Sequence, residues 1–236
     1  MVPKRNLVIK FLKELPFMDR IKVDLLHYTP DFVATNAVKK PYKNERATIE
    51  TSVKVASPPT NHGSVIEHVV LNFNISGISR LCLAELMRHR MSEFEISDMF
   101  SSATVESTRY TLTKLLNLAP NDIDIWDYFV KPIYDEKRFK SIKEYNEYIT
   151  ELKLFNKSMV DIMKVMTIEN ITNDFIKYFL IEGWRVDLAF TINLRSFLNF
   201  ISLRNNPRAH FEIRQLARLM LETLEDTYLI KYFPNY

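Results

Sequence analysis

A chain of 236 residues that is 47% hydrophobic can bury a substantial core, and its length suits one large domain or two small ones. A formal net charge of +3 excludes nucleic-acid binding driven by bulk electrostatics, and without an apolar run of about 18 residues no segment reads as a membrane-spanning helix. Three glycines, Gly63, Gly77 and Gly183, allow neither a GxGxxG turn nor a Walker loop, and the single Cys82 allows no intrachain disulfide, so a cytoplasmic setting is expected.

Residues 1–20 are basic and partly amphipathic, and they are expected to be an N-terminal extension ahead of a single domain, 21–236. The opening MVPKRNLVIKFLKEL is too polar for a secretory signal. Ile21 to His27 read as a strand, and Thr29-Pro30 opens a helix over 31–40. A second short helix is expected over 44–56, stopped by Ser57-Pro58-Pro59. After the polar turn Asn61-His62-Gly63-Ser64, residues 67–75 read as a strand in which Val69, Leu71, Phe73 and Ile75 share one face, with Gly77 breaking it.

From Ser79 the period becomes helical. Leu81, Ala84, Leu86 and Met87 carry the apolar side, while Glu85, Arg88 and His89 fall at i, i+3 and i+4 on another. Residues 112–168 hold Lys/Glu-rich helical patterns with a solvated charged face around Lys140 to Lys153. A third strand is expected from Trp184 to Asn193, with Trp184, Val186, Leu188, Phe190 and Ile192 on one face. A helix follows with Arg195, Asn199 and Ser202 as a polar stripe, ending at Arg204. Asn206 is expected to cap the last long helix, with Pro207 at its first position.

Three polar groups stand out: His62 with Ser64; the segment from Arg88 to Tyr110 with Glu85; and Asn193, Arg195, Asn199, Arg204 and Arg208. Cationic side chains crowded together repel one another unless anions sit between them. Guanidiniums recognise phosphate and carboxylate, and paired amides read heterocycle edges, so a phosphate-bearing ligand such as a nucleotide fits. His62, His68 and His89 match no zinc-ligand spacing, and His68 is expected to be a structural strand histidine, so no metal is expected. A hydrolase built on Ser107 and His89 lacks an orienting acid and a glycine-built nucleophile elbow.

With Arg88-His89-Arg90 followed, after a spacer, by Ser107-Thr108-Arg109-Tyr110, the chain resembles the flavin-dependent thymidylate synthases, the ThyX family. FNISGISRLCLAELMRHR looks like that family's strand and helix leading into its signature, and TINLRSFLNFISLR like its C-terminal block. The resemblance implies an α/β (α+β) thymidylate synthase-complementing fold, with a central mostly antiparallel sheet flanked by helices. It also implies a homotetramer with shared active sites and reductive methylation of dUMP to dTMP. Methylenetetrahydrofolate would supply the carbon, FAD would carry the hydride and NADPH would act as reductant.

By matching position, the resemblance assigns His62, Ser64, Arg88, His89, Arg90, Asn193, Arg195 and Asn199 to the cofactor. It assigns Glu85, Arg88, Ser107, Thr108, Arg109, Lys177 and Arg204 to dUMP, with Arg204 as the catalytic residue favouring the N3-deprotonated uracil ring. Residues 91–106 make a spacer of sixteen where about seven is usual, which places an insertion within residues 91–100. Glu85, Lys177, Val105 and Arg208 also depart from the family's common residues. An inactive nucleotide- or RNA-binding relative is the alternative reading, and neither membrane nor DNA is expected as a partner.

Overall fold

The structure, a computed structural model, describes residues 21–88, 101–118 and 124–234. They fall into two compact units: a sheet unit of Val23–Ser107 and Arg185–Tyr236, and a helical unit of Thr108–Trp184 with the described residues before Val23.

The sheet unit is organised on four strands, β1 (Lys22–Tyr28), β2 (Val70–Ser79), β3 (Ser101–Val105) and β4 (Arg185–Asn193), in the order β1-β2-β4-β3. β4 pairs antiparallel with both β2 and β3, matching Phe73 with Phe190 and Ala103 with Phe190. The alternation read from the sequence does what period-2 burial requires. Leu71, Phe73 and Ile75 of β2 and Val186, Leu188, Phe190 and Ile192 of β4 are buried, while Asn72, Asn74 and Asp187 lie on the other face. Behind the buried face Phe197 packs 5.7 Å from Phe73, 6.2 Å from Phe200 and 5.7 Å from Phe233, ring to ring.

Two expectations for β2 are corrected. The strand begins at Val70, because Gly63–Ile66 forms a 3-10 turn that carries the chain past Glu67, and it continues through Gly77 to Ser79. Gly77 sits in the left-handed region (φ 79°) at a register shift between Ile75 and Ile78. There side chains of β4 replace the ladder: Gly77 N–H donates to Asp187 Oδ1 (2.8 Å) and Arg185 Nη1 donates to Gly77 O (2.5 Å). A bulge glycine bends a strand without ending it when its polar groups find other partners.

Helices α1 (Asp31–Tyr42) and α2 (Ile49–Ala56) follow β1. α1 accommodates Pro41 in its last turn and ends where Lys43 turns left-handed (φ 47°). α2 starts five residues later than 44, because Thr48 N–H donates to Thr51 Oγ1 (3.2 Å) and fixes the helix start there. α3 (Arg80–Met87) is capped by Ser79, whose Oγ accepts from Cys82 N–H.

In the helical unit, α4 (Thr108–Leu118), α5 (Ile142–Ile168) and α6 (Asn173–Ile176) account for the helical patterns, and residues 124–141 between them are not α-helical. Trp184, expected to open a strand, instead bridges Phe129 with its ring 5.2 Å from that phenyl ring. The charged face of α5 is exposed as expected, but the same helix also exposes Leu154, Phe155, Ile162, Val165 and Ile168.

Back in the sheet unit, α7 (Leu194–Arg204) follows β4 directly, with Asn193 Oδ1 accepting from Ser196 N–H (2.8 Å) as its cap. α8 (Phe211–Glu222) starts later than expected. Asn206 Oδ1 accepts from Arg208 N–H (2.9 Å) and closes a local turn, so His210 and not Asn206 stands at the N-cap. Among the described residues no helix is long and apolar enough to cross a membrane.

Candidate functional site

The polar residues singled out in the sequence gather in three clusters, and in each a cation is met by a carboxylate. The first lies in the sheet unit, where α3 delivers Glu85 and the last turn of α7 delivers Arg204. Arg204 Nη1 stands 3.4 Å from Glu85 Oε2, and the two side chains are only 23% and 19% exposed. Arg88, three residues after Glu85, closes α3 and is exposed.

A buried acid lies at the base of the same helix. Glu212 of α8 accepts from Ser79 N–H (2.7 Å) and Ser79 O–H (2.6 Å), which ties α8 to the start of α3. Burial pushes the Glu212 carboxyl above its ordinary range, against the two Ser79 hydrogen bonds and the Arg185 charge, which pull it down. Burial likewise pushes the Cys82 thiol well up, with Glu212 and Glu85 adding to it and Arg204 opposing. Cys82 is therefore an inert core residue, as its apolar setting implied.

The second cluster, also in the sheet unit, holds His62, Ser64, Asn193, Arg195 and Asn199. His62 leads into the 3-10 turn, and its Nδ1 pairs with the hydroxyl of Tyr42 from α1, the two rings stacked at 6.1 Å. Arg195, in the first turn of α7, pairs through Nη1 with Glu67. A Cβ at Gly63 would lie 2.9 Å from Arg195 Nε and 3.0 Å from its Cδ, so the arginine fills the space that a side chain at 63 would take. Asn199 follows one turn later on the stripe, half-buried. Asn193 is buried, with Oδ1 committed to the helix cap. His68 is exposed in a turn before β2 and is not the strand histidine expected.

The third cluster is in the helical unit. Arg109 Nε lies 3.3 Å from Asp174 Oδ2, and Lys177 Nζ lies 2.8 Å from Asp174 Oδ1. One carboxylate thus bridges two of the three sequence-assigned residues here, Thr108 standing beside Arg109 at the start of α4. The neighbouring Asn173 donates to the Arg109 carbonyl (2.9 Å) and accepts from Thr113 Oγ1 (2.5 Å). The Lys177 hydrogen bond holds the Asp174 carboxyl below its usual range against the opposing effect of burial, with the Arg109 and Lys177 charges adding to the lowering.

Ser107 is exposed at the end of the segment after β3. His89, Arg90 and the expected insertion within 91–100 lie outside the described residues. Sequence reasoning missed Tyr42, Glu67 and Asp174. Only Asp174 left a trace, standing three residues before Lys177 and so on the same side of a helical turn.

Chemically the clusters differ. A half-buried guanidinium beside a carboxylate is suited to hold charge on a planar ring. A histidine, an arginine and an asparagine along one turn and one helix offer donors to carbonyl and phosphate oxygens. Two exposed cations on one carboxylate are suited to a phosphate.

The family model for thymidylate synthase complementing protein matches residues 24–228. The chain is 37% identical over 165 residues to the flavin-dependent thymidylate synthase of Campylobacter jejuni, covering 69% of each. It is 30% identical over 216 residues to that of Helicobacter pylori, covering 87% of this chain and 95% of that one. A crystal structure of thymidylate synthase X from Helicobacter pylori with FAD and dUMP superposes with a TM-score of 0.67 at 27% identity, covering 91% of this chain and 97% of that one.

Proposed function

Because the chain belongs to the thymidylate synthase complementing protein family, we infer that it is a flavin-dependent thymidylate synthase, an FAD enzyme that methylates dUMP reductively to dTMP. Methylenetetrahydrofolate and NADPH are its co-substrates. The observation that carries this reading is the likeness over 91% of the chain to a structure holding FAD and dUMP. The chain's arginines and amides suit those two ligands without a glycine-rich phosphate loop.

The residues fit the cofactor. FAD presents carbonyl and phosphate oxygens, and His62, Ser64, Arg88, His89, Arg90, Arg195 and Asn199 are donors, with Asn193 as the residue that fixes the start of the helix carrying Arg195 and Asn199. The notch at Gly63 lets Arg195 lie against the turn that carries His62. When bound, FAD supplies the hydride that completes the methyl group, and NADPH restores it.

Arg204 acts on the substrate. Its guanidinium, held by Glu85 in a site about four-fifths shielded from water, stabilises negative charge on the uracil ring. Deprotonation at N3 then becomes easier and C5 more nucleophilic towards the one-carbon donor. A fixed cation in such a place contributes on the order of 3 kcal/mol to the transition state. Arg109 and Lys177 bind the phosphate. Ser107 and Thr108 orient the nucleotide, Arg88 contributes to both ligands, and Ser107 does not act as a nucleophile.

We take residues 21–236 as one catalytic domain and residues 1–20 as an extension, a reading supported by the family match over 24–228. The active unit is a homotetramer with shared sites. In favour of self-association, α5 exposes Phe155, Ile162 and Val165 at helical spacing, an apolar stripe of the kind that subunits cover. A cytoplasmic setting accords with a lone, buried, free cysteine.

The test is dTMP formation by the purified protein with FAD present and absent. FAD-dependent dTMP, and NADPH consumption that rises when dUMP is added, are the expected results. Binding of dUMP with no dTMP under any flavin condition would replace this reading with that of an inactive relative.

A further inference from the structure

We propose that Glu67 is a positioning residue for the cofactor: it fixes the Arg195 guanidinium in the orientation that binds flavin. The inference rests on the assignment of Arg195 to the cofactor and extends it to a residue outside that assignment.

Arg195 is gripped from two sides by parts of the chain more than a hundred residues away in sequence. On one side Nη1 donates to Glu67 Oε1 across a separation of 128 residues. On the other, Nε and Cδ lie 2.9 and 3.0 Å from where a Cβ at position 63 would stand, so the arginine lies close against the Gly63 backbone in room that only a glycine leaves. An arginine side chain turns about several single bonds, so two fixed points are needed to set the plane of its guanidinium. Both grips come from the single turn of residues 63–67, which also carries His62, itself held by Tyr42.

The exposure of the pair argues for a role beyond stability. Lys143 and Glu147 on α5 make a surface pair at 3.9 Å with side chains 85% and 66% exposed, of the kind that contributes little. Arg195 and Glu67 are 34% and 28% exposed, shielded enough to hold one geometry and open enough for a ligand to reach the guanidinium. Glu67 orients the arginine and does not touch the reacting atoms.

The variants Glu67→Gln, Glu67→Asp, Arg195→Ala and the double Glu67→Gln/Arg195→Ala separate the possibilities. FAD affinity is read by quenching of flavin fluorescence, dUMP affinity by calorimetry, and folding by thermal denaturation. Glu67→Gln is expected to weaken FAD about tenfold, the size of one hydrogen bond to a charged group, with dUMP affinity and Tm unchanged. Glu67→Asp, which keeps the charge, recovers part of that loss, and the double variant is no weaker than Arg195→Ala alone. If Arg195→Ala weakens FAD but Glu67→Gln does not, or if Glu67→Gln lowers FAD affinity, dUMP affinity and Tm together, the positioning role is overturned. If Arg195→Ala itself leaves FAD affinity unchanged, the cofactor assignment of Arg195 falls, and the role of Glu67 with it.

Discussion

Arg204 and Arg109 are both guanidiniums facing a carboxylate, yet their settings differ in ways that suit them to different work. Arg204 faces Glu85 one to one at 3.4 Å, with both side chains less than a quarter exposed. Arg109 is 61% exposed and shares Asp174 with Lys177. Where water is displaced, a charge acts strongly over a short range, and where water is present it is screened within about a Debye length. In the proposed function the shielded arginine changes a proton equilibrium on a neutral ring, and the exposed pair gathers a charged phosphate from solution.

The largest expected effect breaks the comparison on the shielded side. Arg204→Ala should lower kcat at saturating dUMP by about two to three orders of magnitude, as loss of one fixed charge at a transition state does. Its measurement is single-turnover dTMP formation. Glu85→Gln should give a smaller fall of the same kind, since it loosens Arg204 without removing it. Equal kcat in Arg204→Ala and wild type would place the chemistry elsewhere.

On the exposed side the effect should appear in KM. Arg109→Ala and Lys177→Ala are each expected to raise KM for dUMP about tenfold with kcat changed far less, because each removes one charged hydrogen bond. The wild-type KM should rise with ionic strength, and that dependence should flatten in either variant. A kcat loss comparable to that of Arg204→Ala would erase the distinction between the two clusters.

The two clusters were unequally legible in the sequence, and so was the fold. β2, β4 and α7 stood out because Leu71, Phe73, Ile75 and Val186, Leu188, Phe190 alternate cleanly, and because the period changes to a helical one after Asn193. β3 was missed, since Ser101–Val105 is a short edge strand of mostly small side chains with no strong apolar alternation. The start of α8 was misplaced because Asn206-Pro207 is as good a turn signal as a cap, and only the Arg208 N–H bond decides between them. The cations were visible as a motif, whereas Glu67 is 128 residues from Arg195 and Glu85 is 119 from Arg204, so sequence spacing alone could not pair them. The carboxylates are thus a product of the fold, and they set what each cation can do.

The smallest expected effect sharpens the contrast at those carboxylates. Burial raises Glu212, whereas Lys177 and Arg109 lower Asp174, so acidification should act on the two units with opposite sign. A carboxyl raised on folding contributes stability below its unfolded pKa and loses it as pH rises through the folded value. A depressed carboxyl contributes stability above its unfolded pKa and loses it as pH falls through the folded one. Comparing wild type with Glu212→Gln, the stability difference should move in favour of wild type as pH falls from 7 towards the ordinary carboxyl value of 4.5. Comparing wild type with Asp174→Asn, it should move against wild type, and only below the ordinary aspartate value of 3.8. Because Asp174 stands in solvent, that second change should be barely measurable as a shift in Tm, and added salt should shrink it further. A Glu212→Gln difference that moves against wild type as pH falls from 7 towards 4.5 would mean that burial does not dominate the acid beneath α3. The shielding of the neighbouring Glu85–Arg204 pair would then also be weaker than its exposure implies.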